Sequence, residues 1–107
     1  MVPEISAPEA RRLLDSPSPP RLIDVREPEE WELCRIAGAE LLPLSQWPAI
    51  AEKLSSPEET LLIQCHHGVR SARVAEFLLR HGFTHVFNLA GGIDAWSREV
   101  DPGVPRY

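Results

Sequence analysis

The sequence has 107 residues, of which 43% are hydrophobic and 25% charged, and its formal net charge is -5. This length suits one domain around a single hydrophobic core, and the composition is that of a globular rather than a disordered chain. The acidic charge, without basic runs or a basic helix face, argues against nucleic acid or an anionic membrane as a partner. We therefore expect one domain over residues 1–107.

The chain carries no signal that would direct it to a membrane or to secretion. No apolar run approaches the roughly 20 residues that cross a bilayer, and residues 1–4 lack the basic and apolar regions of a signal peptide. Two cysteines, Cys34 and Cys65, are too few for a disulfide framework, and a reactive thiol needs a reducing compartment. The sequence therefore predicts a cytoplasmic protein.

The first half of the chain predicts short strands that alternate with short helices. We expect a strand at residues 4–5 and a helix over 7–14, because Ser6 and Glu9 form a capping box. The Ser- and Pro-rich stretch 16–20 cannot continue a helix and predicts a surface connection. A strand over 21–25, a helix over 27–33 and a brief strand at 41–42 follow.

The second half continues this alternation. Ser45 predicts the start of a helix that runs to residue 54 and buries Trp47, Ile50, Ala51 and Leu54. A turn over residues 55–59 precedes an apolar strand over 60–64, and an amphipathic helix over 71–81 ends at Gly82. A strand over 85–88 and a helix over 92–99 complete the pattern. Strands that alternate with helices predict a parallel sheet covered on both faces.

The stretch from Cys65 to Ser71 joins the buried strand to the amphipathic helix and carries the most chemistry. In such a turn the first amides of the helix lack helical acceptors, and the helix dipole is positive at that end. Both effects, together with Arg70, favour a thiolate at Cys65. The sequence therefore predicts a cysteine nucleophile in an anion-binding loop, where Arg70 binds the substrate anion.

Several residues around this cysteine allow a plainer interpretation. His66 and His67 invite a metal, but adjacent side chains rarely turn to one ion and no further cluster completes four ligands, so we expect no metal. They instead tune the loop potential or meet the substrate. Gly68 supplies a backbone conformation closed to other residues. Ser71 is expected to cap the helix and to donate to the sulfur, and Cys34 is either inert or a resolving thiol.

Three motifs together resemble one known family. The loop Cys65 to Arg70 is similar to the active-site loop of the rhodanese-like sulfurtransferases. Upstream, residues 22–31 and 36–39, followed by Pro43 and Leu44, resemble the strand-and-turn signature of the family. Downstream, residues 88–96 resemble its final strand and glycine-rich helix entry. The resemblance spans nearly the whole chain, although Cys34 and Arg35 stand where the family usually has glycine and histidine.

The resemblance implies the fold and the neighbours of the loop. It predicts a three-layer α/β/α domain whose five-stranded parallel sheet has the strand order 1-5-4-2-3. The strand that ends at Asp24 then lies beside the strand that ends at Cys65, so Asp24 and Arg26 are candidates for supporting the loop from behind. The alternative for Asp24 is that it only anchors the adjacent turn.

The resemblance also implies an activity. A six-residue loop such as Cys65 to Arg70 is typical of sulfurtransferases in this family, whereas a seven-residue loop is typical of phosphatases and arsenate reductases. We expect a persulfide on Cys65, formed from thiosulfate or a persulfide donor and passed to a thiol or a sulfur-carrier protein, with no cofactor. The substrate-binding candidates are the loop residues His66, His67, Gly68, Val69, Arg70 and Ser71. The alternatives are a non-catalytic binding or regulatory module and, against the loop length, a cysteine phosphatase or arsenate reductase.

Overall fold

Five parallel strands form one sheet in the order β1-β5-β4-β2-β3, in a computed structural model that describes residues 2–54 and 56–107. The predicted strand order is thus confirmed. The strands are β1 (Glu4–Ile5), β2 (Arg21–Asp24), β3 (Glu40–Leu41), β4 (Thr60–Gln64) and β5 (His85–Leu89). The α-helices are α1 (Ala7–Leu14), α2 (Pro28–Leu33), α3 (Val69–Arg80) and α4 (Gly92–Glu99). Met1 and Ser55, the first residue of the turn predicted over 55–59, lie outside the described residues.

The two faces of the sheet are covered by different helices, because successive residues of a strand point to opposite sides. On one face, Leu62 of β4 packs in a cluster with residues of α1 and α4. On the other, Leu61 and Ile63 pack in a cluster with residues of α3. The sheet is therefore the middle of three layers, as predicted. None of the helices in the described residues is long and apolar enough to cross a membrane.

The prediction of one helix over residues 45–54 is wrong. The chain forms two short 3₁₀ helices there, Leu44–Gln46 and Ala49–Lys53, and Trp47 between them is extended with φ -81° and ψ 148°. Residues that precede proline are pushed out of the helical region, and Pro48 offers no N–H to continue a helix. Ile50 and Leu54 are nevertheless buried against the α3 face of the sheet, so the apolar pattern predicted packing but not helix type.

An arginine joins three strands at the edge of the sheet where they begin. The guanidinium of Arg21, the first residue of β2, donates to both carboxylate oxygens of Glu40 at 2.6 and 2.9 Å and to both of Glu59 at 2.9 and 3.1 Å. It also donates to the carbonyl oxygen of Lys53 at 3.1 Å. Glu40 begins β3 and Glu59 immediately precedes β4. One side chain therefore links β2, β3 and β4 opposite the edge where the Cys65 loop leaves the sheet.

Candidate active site

Cys65 follows the last residue of β4 and is almost wholly buried, with 1% of its surface exposed. Its Sγ accepts hydrogen bonds from the backbone N–H of Gly68 at 3.1 Å and from that of Ser71 at 3.4 Å. The hydroxyl of Ser71 lies 3.3 Å from the same sulfur. Two backbone N–H groups thus point at Sγ, and donors in this position stabilise negative charge on sulfur.

The helix behind this loop begins two residues earlier than the sequence predicts. Gly68 is its N-cap with φ +98°, and α3 starts at Val69, so Ser71 lies in the first turn and is not the cap. A Cβ on Gly68 would approach the carbonyl oxygen of Leu89 to 3.3 Å. Both the left-handed backbone and the close approach require glycine. The amides of Val69 and Arg70, like all first-turn amides, have no acceptor within the helix.

Ser71 is held against the sulfur by a buried asparagine. The Ser71 hydroxyl donates to Asn88 Oδ1 at 2.5 Å, and Asn88 Nδ2 donates to the Gly68 carbonyl oxygen at 3.0 Å and to Glu4 Oε2 at 2.9 Å. Asn88 lies in β5, the neighbour of β4, and is 1% exposed. Sequence reasoning missed this residue, although an amide within an apolar strand is a signal of a buried polar contact.

Arg70, which the sequence predicts to bind the substrate anion, forms an ion pair with a carboxylate of α2. Its Nη1 and Nη2 donate to Glu30 Oε1 and Oε2 at 2.7 and 2.8 Å, a paired contact with α2. The Arg70 guanidinium lowers the pKa of the Glu30 carboxyl from 4.5 to about 2. The pairing was missed because Glu30 is one of several acidic residues in its segment and lies 40 positions from Arg70.

Asp24 and Arg26 form an ion pair in which both side chains are wholly buried, with a distance of 2.7 Å between Nη2 and Oδ2. Asp24 Oδ1 also accepts from the backbone N–H of Arg26 at 2.9 Å, which anchors the turn after β2. Arg26 donates further to the Cys34 carbonyl oxygen at 2.7 Å and to the Tyr107 hydroxyl at 3.1 Å. Their hydrogen bonds in the described chain fix the end of α2 and the C-terminal residues, and none reaches Cys65.

Tyr107 covers the loop, which the sequence did not predict. Its ring stacks on that of His66 with centroids 3.8 Å apart and planes at 7°. Its hydroxyl donates to Glu30 Oε2 at 2.7 Å while accepting from Arg26. Burial, followed by the nearby charge of His67, lowers the pKa of His66. Tyr107 therefore connects the loop, α2 and the buried Asp24–Arg26 pair.

His66, His67 and Asp94 bring one potential ligand atom each within 4.8 Å of one another. The two adjacent histidines therefore turn toward a common point, contrary to expectation, and the absence of a metal stays a prediction. Two observations oppose a metal here. The His66 and His67 rings lie 3.9 Å apart with planes at 30°, and His66 also stacks on Tyr107, so a metal would compete with ring packing. Asp94 already accepts from Arg98 and Arg106 at 3.1 and 2.9 Å.

Comparison with known proteins agrees with this fold and loop. A family model for the rhodanese-like domain matches residues 6–99. The chain is 44% identical over 91 residues to the Arabidopsis thaliana Rhodanese-like/PpiC domain-containing protein 12, chloroplastic, covering 81% of the chain but only 30% of that relative. It is 35% identical over 75 residues to the thiosulfate sulfurtransferase GlpE of Coxiella burnetii, covering 70% of the chain and 69% of the relative.

A solved structure matches over almost the full length. The crystal structure of a rhodanese-like domain protein from Staphylococcus aureus superposes with a TM-score of 0.84 and 31% identity, covering 99% of both chains. The family match covers far more than half of the chain and includes β4, the Cys65 loop and α3. By sequence and by fold, this chain belongs to the rhodanese-like domain family, which includes sulfurtransferases.

Proposed function

We propose that the chain, as one rhodanese-like domain over residues 1–107, is a sulfurtransferase that carries a sulfane sulfur on Cys65. The observation that carries this proposal is the convergence of the Gly68 and Ser71 backbone N–H groups on Cys65 Sγ at 3.1 and 3.4 Å. These donors stabilise a thiolate before the reaction and the charge that develops on sulfur during it. The relationship to a named thiosulfate sulfurtransferase supports the same activity.

The reaction proceeds in two displacements. The Cys65 thiolate attacks the outer sulfur of the donor, a new S–S bond forms, and the donor's own S–S bond breaks. Sulfite leaves with the bonding electron pair if the donor is thiosulfate, and a thiolate leaves if it is a persulfide. A nucleophilic acceptor, a thiol or a sulfur-carrier protein, then attacks the terminal sulfur and releases the Cys65 thiolate. Each displacement exchanges one S–S bond for another and needs no external oxidant or reductant. The proposal therefore includes no cofactor.

Each loop residue has a place in this proposal. The amides of Gly68 and Ser71 hold Sγ, while those of Val69 and Arg70, which lack helical acceptors, are available to the terminal sulfur of the persulfide. The Arg70 guanidinium is held by Glu30 and keeps N–H groups that can bind the donor. His66 and His67 shape the mouth of the loop rather than act as a base, since a thiolate needs none.

The cellular setting follows from the same chemistry. Both Cys34 and Cys65 are free thiols, and a persulfide relay requires a compartment that keeps them reduced. This supports the cytoplasm as the place of action. Cys34 lies beside Arg26, whose Nη1 is 3.8 Å from Cys34 Sγ, and we assign it no step in the relay.

The test is an intact mass spectrum after incubation with thiosulfate, and separately with a small-molecule persulfide. The native chain and Cys34→Ser are expected to gain one sulfur atom that cyanide or a thiol removes, whereas Cys65→Ser gains none. An adduct that persists in Cys65→Ser would refute the assignment of the nucleophile. If neither donor loads a chain whose Cys65 still reacts with iodoacetamide, the binding-module alternative replaces the enzyme. Release of phosphate from an aryl phosphate would instead indicate a phosphatase.

A further inference from the structure

Glu30 binds the two terminal nitrogens of the Arg70 guanidinium, the end of the group that is best suited to pair with an anion. Both carboxylate oxygens are engaged, at 2.7 and 2.8 Å, by the two terminal nitrogens of Arg70. The side chains are only 31% and 20% exposed for Arg70 and Glu30, so solvent screens the pair incompletely. An ion pair of this paired geometry is among the stronger ones in proteins.

The carboxylate of Glu30 is itself fixed by further donors. Tyr107 donates its hydroxyl proton to Oε2 at 2.7 Å, and the backbone N–H of Glu27 donates to Oε1 at 3.0 Å. Four donors from three parts of the chain therefore hold this one carboxylate. An incoming anion would have to compete with a preorganised partner rather than with a mobile surface side chain.

The pairing changes what Arg70 offers at the loop. The guanidinium has five N–H groups, of which Glu30 occupies two, so three remain as donors. Its positive charge, however, is neutralised by a carboxylate within hydrogen-bond distance, and the chain as a whole carries a net charge of -5. Arg70 therefore still offers hydrogen-bond donors beside the Cys65 loop. It no longer supplies the net positive charge that would attract a dianion such as thiosulfate.

Two large apolar side chains that neighbour this pair along the chain are exposed. Val69, next to Arg70, is 64% exposed, and Leu33, one turn beyond Glu30 on α2, is 60% exposed. Leu33 and Glu30 lie on neighbouring positions of the helix surface because they are three residues apart. Exposed apolar side chains such as these favour contact with the organic part of a thiol donor over contact with the oxygens of a small dianion.

We propose that Glu30 is a specificity-determining residue that disfavours dianionic sulfur donors and selects the persulfides of thiols, which carry at most one negative charge at the reacting group. This inference rests on the proposed function. In the selected reaction Cys65 attacks the outer sulfur of the persulfide and the thiolate of the donor leaves. Glu30 acts through Arg70 and does not itself touch the reacting sulfur.

The first test does not depend on sulfur transfer. Cys65 is alkylated with iodoacetate, an anion, and with iodoacetamide, its neutral analogue, and the modified cysteine is located by peptide mass mapping. Both reagents need the thiolate, so their rate ratio cancels any change in the thiolate fraction. Glu30→Gln is expected to raise the iodoacetate-to-iodoacetamide ratio about fivefold or more, because the Arg70 charge is no longer neutralised.

The matched control is Glu32→Gln, which removes the same charge from an exposed position of α2 without a contact to Arg70. Because exposed charges are strongly screened, its ratio is expected to stay within about twofold of the native value. Equal ratios in Glu30→Gln and Glu32→Gln would overturn the proposal. If Glu30→Gln does not fold, the native chain alone provides the test. Its iodoacetate-to-iodoacetamide rate ratio is compared with that of N-acetylcysteinamide, a neutral thiol. A ratio well above that of the free thiol would show that the site attracts anions and would refute the inference.

The second test separates the inference from the proposed function. The rate of sulfur loading is measured with thiosulfate and with the persulfide of N-acetylcysteinamide. The native chain is expected to prefer the persulfide, and Glu30→Gln to shift that preference toward thiosulfate by about the factor seen in alkylation. If both donors load the native chain equally well, the inference fails while the sulfurtransferase stands. If neither loads Cys65 although the alkylation ratio responds as expected, the sulfurtransferase and with it the donor preference fail.

Discussion

The backbone N–H of Ile93 donates to the carbonyl oxygen of Cys65 at 2.8 Å. The next amide of α4, that of Asp94, donates to the carbonyl oxygen of His66 at 3.1 Å. The N-terminus of α4 thereby binds the carbonyls of the loop, while amides of the same loop and of α3 point to the sulfur. Helix α4 is therefore part of the frame that orients the site, although it contributes no group to Sγ among the described contacts.

Gly92 permits this contact, and we expect its substitution to destabilise the fold strongly. Its φ is +60°, and a Cβ would lie 2.6 Å from the His66 carbonyl oxygen. We expect Gly92→Ala to lower the free energy of unfolding, measured in urea, by clearly more than the about 1–2 kcal/mol that left-handed backbone alone costs. Gly38→Ala is the control, because Gly38 has φ +85° with no atom within 4 Å of its Cβ. Equal losses in the two variants would contradict the close packing of α4 on the loop.

Removal of the Ser71 hydroxyl is expected to destabilise the chain because it leaves Asn88 Oδ1 buried without its donor. An unsatisfied buried acceptor costs about 1–3 kcal/mol, so Ser71→Ala should lower the free energy of unfolding by that amount. Ser16→Ala removes a hydroxyl that donates to Leu13 at an exposed position and should change it by less than about 0.5 kcal/mol. A Ser71→Ala chain as stable as Ser16→Ala would show that Asn88 finds another partner.

The Glu30–Arg70 pair predicts part of the acid sensitivity of the fold. The pKa of Glu30 is lowered from 4.5 to about 2 in the folded chain. Because the folded value is the lower one, the stabilisation is complete above pH 4.5 and is lost as the pH falls toward about 2. In urea unfolding across this window, Glu30→Gln is expected to lose stability less steeply than the native chain.

The same measurement on Glu32→Gln provides the comparison for that experiment. Glu32 is exposed, without a hydrogen bond or ion pair among the described residues, so its variant should keep the native slope of stability against pH. If Glu30→Gln and the native chain show the same slope, the carboxylate is not held by Arg70 in solution.

Tyr107 is the only tyrosine of the chain, which makes its ionisation directly observable. Burial, together with the hydrogen bond to Glu30, raises the pKa of Tyr107 from 10.0 to about 12. The tyrosinate absorbance, followed immediately after a jump in pH, should therefore develop near 12 in the folded chain and near 10.0 in urea. The stabilisation that accompanies this shift is present below pH 10.0 and disappears as the pH rises through about 12.

Glu30→Gln tests the cause of that shift. Loss of the anionic acceptor should bring the pKa of Tyr107 back toward its ordinary value, while Glu32→Gln should leave it unchanged. A Tyr107 that ionises as in urea, already in the native chain, would mean that its hydroxyl is not held against Glu30 in solution.

The strands of the sheet could be predicted from the sequence because their signal is local, whereas their order was implied by the family resemblance. The runs that became β2, β4 and β5 are apolar and bounded by turn residues, and the predicted strand of residues 60–64 matches β4 residue for residue. The segment 45–54 failed for an equally local reason, since the proline at position 48 outweighed the apolar spacing around it.

The support of the loop could not be predicted in this way. The partners of Glu30 lie 40 and 77 positions away, at Arg70 and Tyr107. Neither contact produces a regular spacing of residues in the sequence, and many other carboxylates are available as partners for Arg70. Cys65 itself was predicted because the strand-to-helix turn around it is a local pattern, whereas the residues that fix its surroundings meet only after the chain has folded.

The two ends of strand β2 have different structural roles. Arg21 at its beginning joins β3 and β4 through Glu40 and Glu59, and Asp24 at its end holds Arg26 beneath the site. Since the Arg21 cross-link makes no contact with the loop, exposed residues around the loop can be exchanged without loosening this end of the sheet, provided that the buried Asp24–Arg26 pair is kept. A library that randomises the mouth while retaining Arg21, Glu40 and Glu59 would thus explore new acceptors on an intact scaffold.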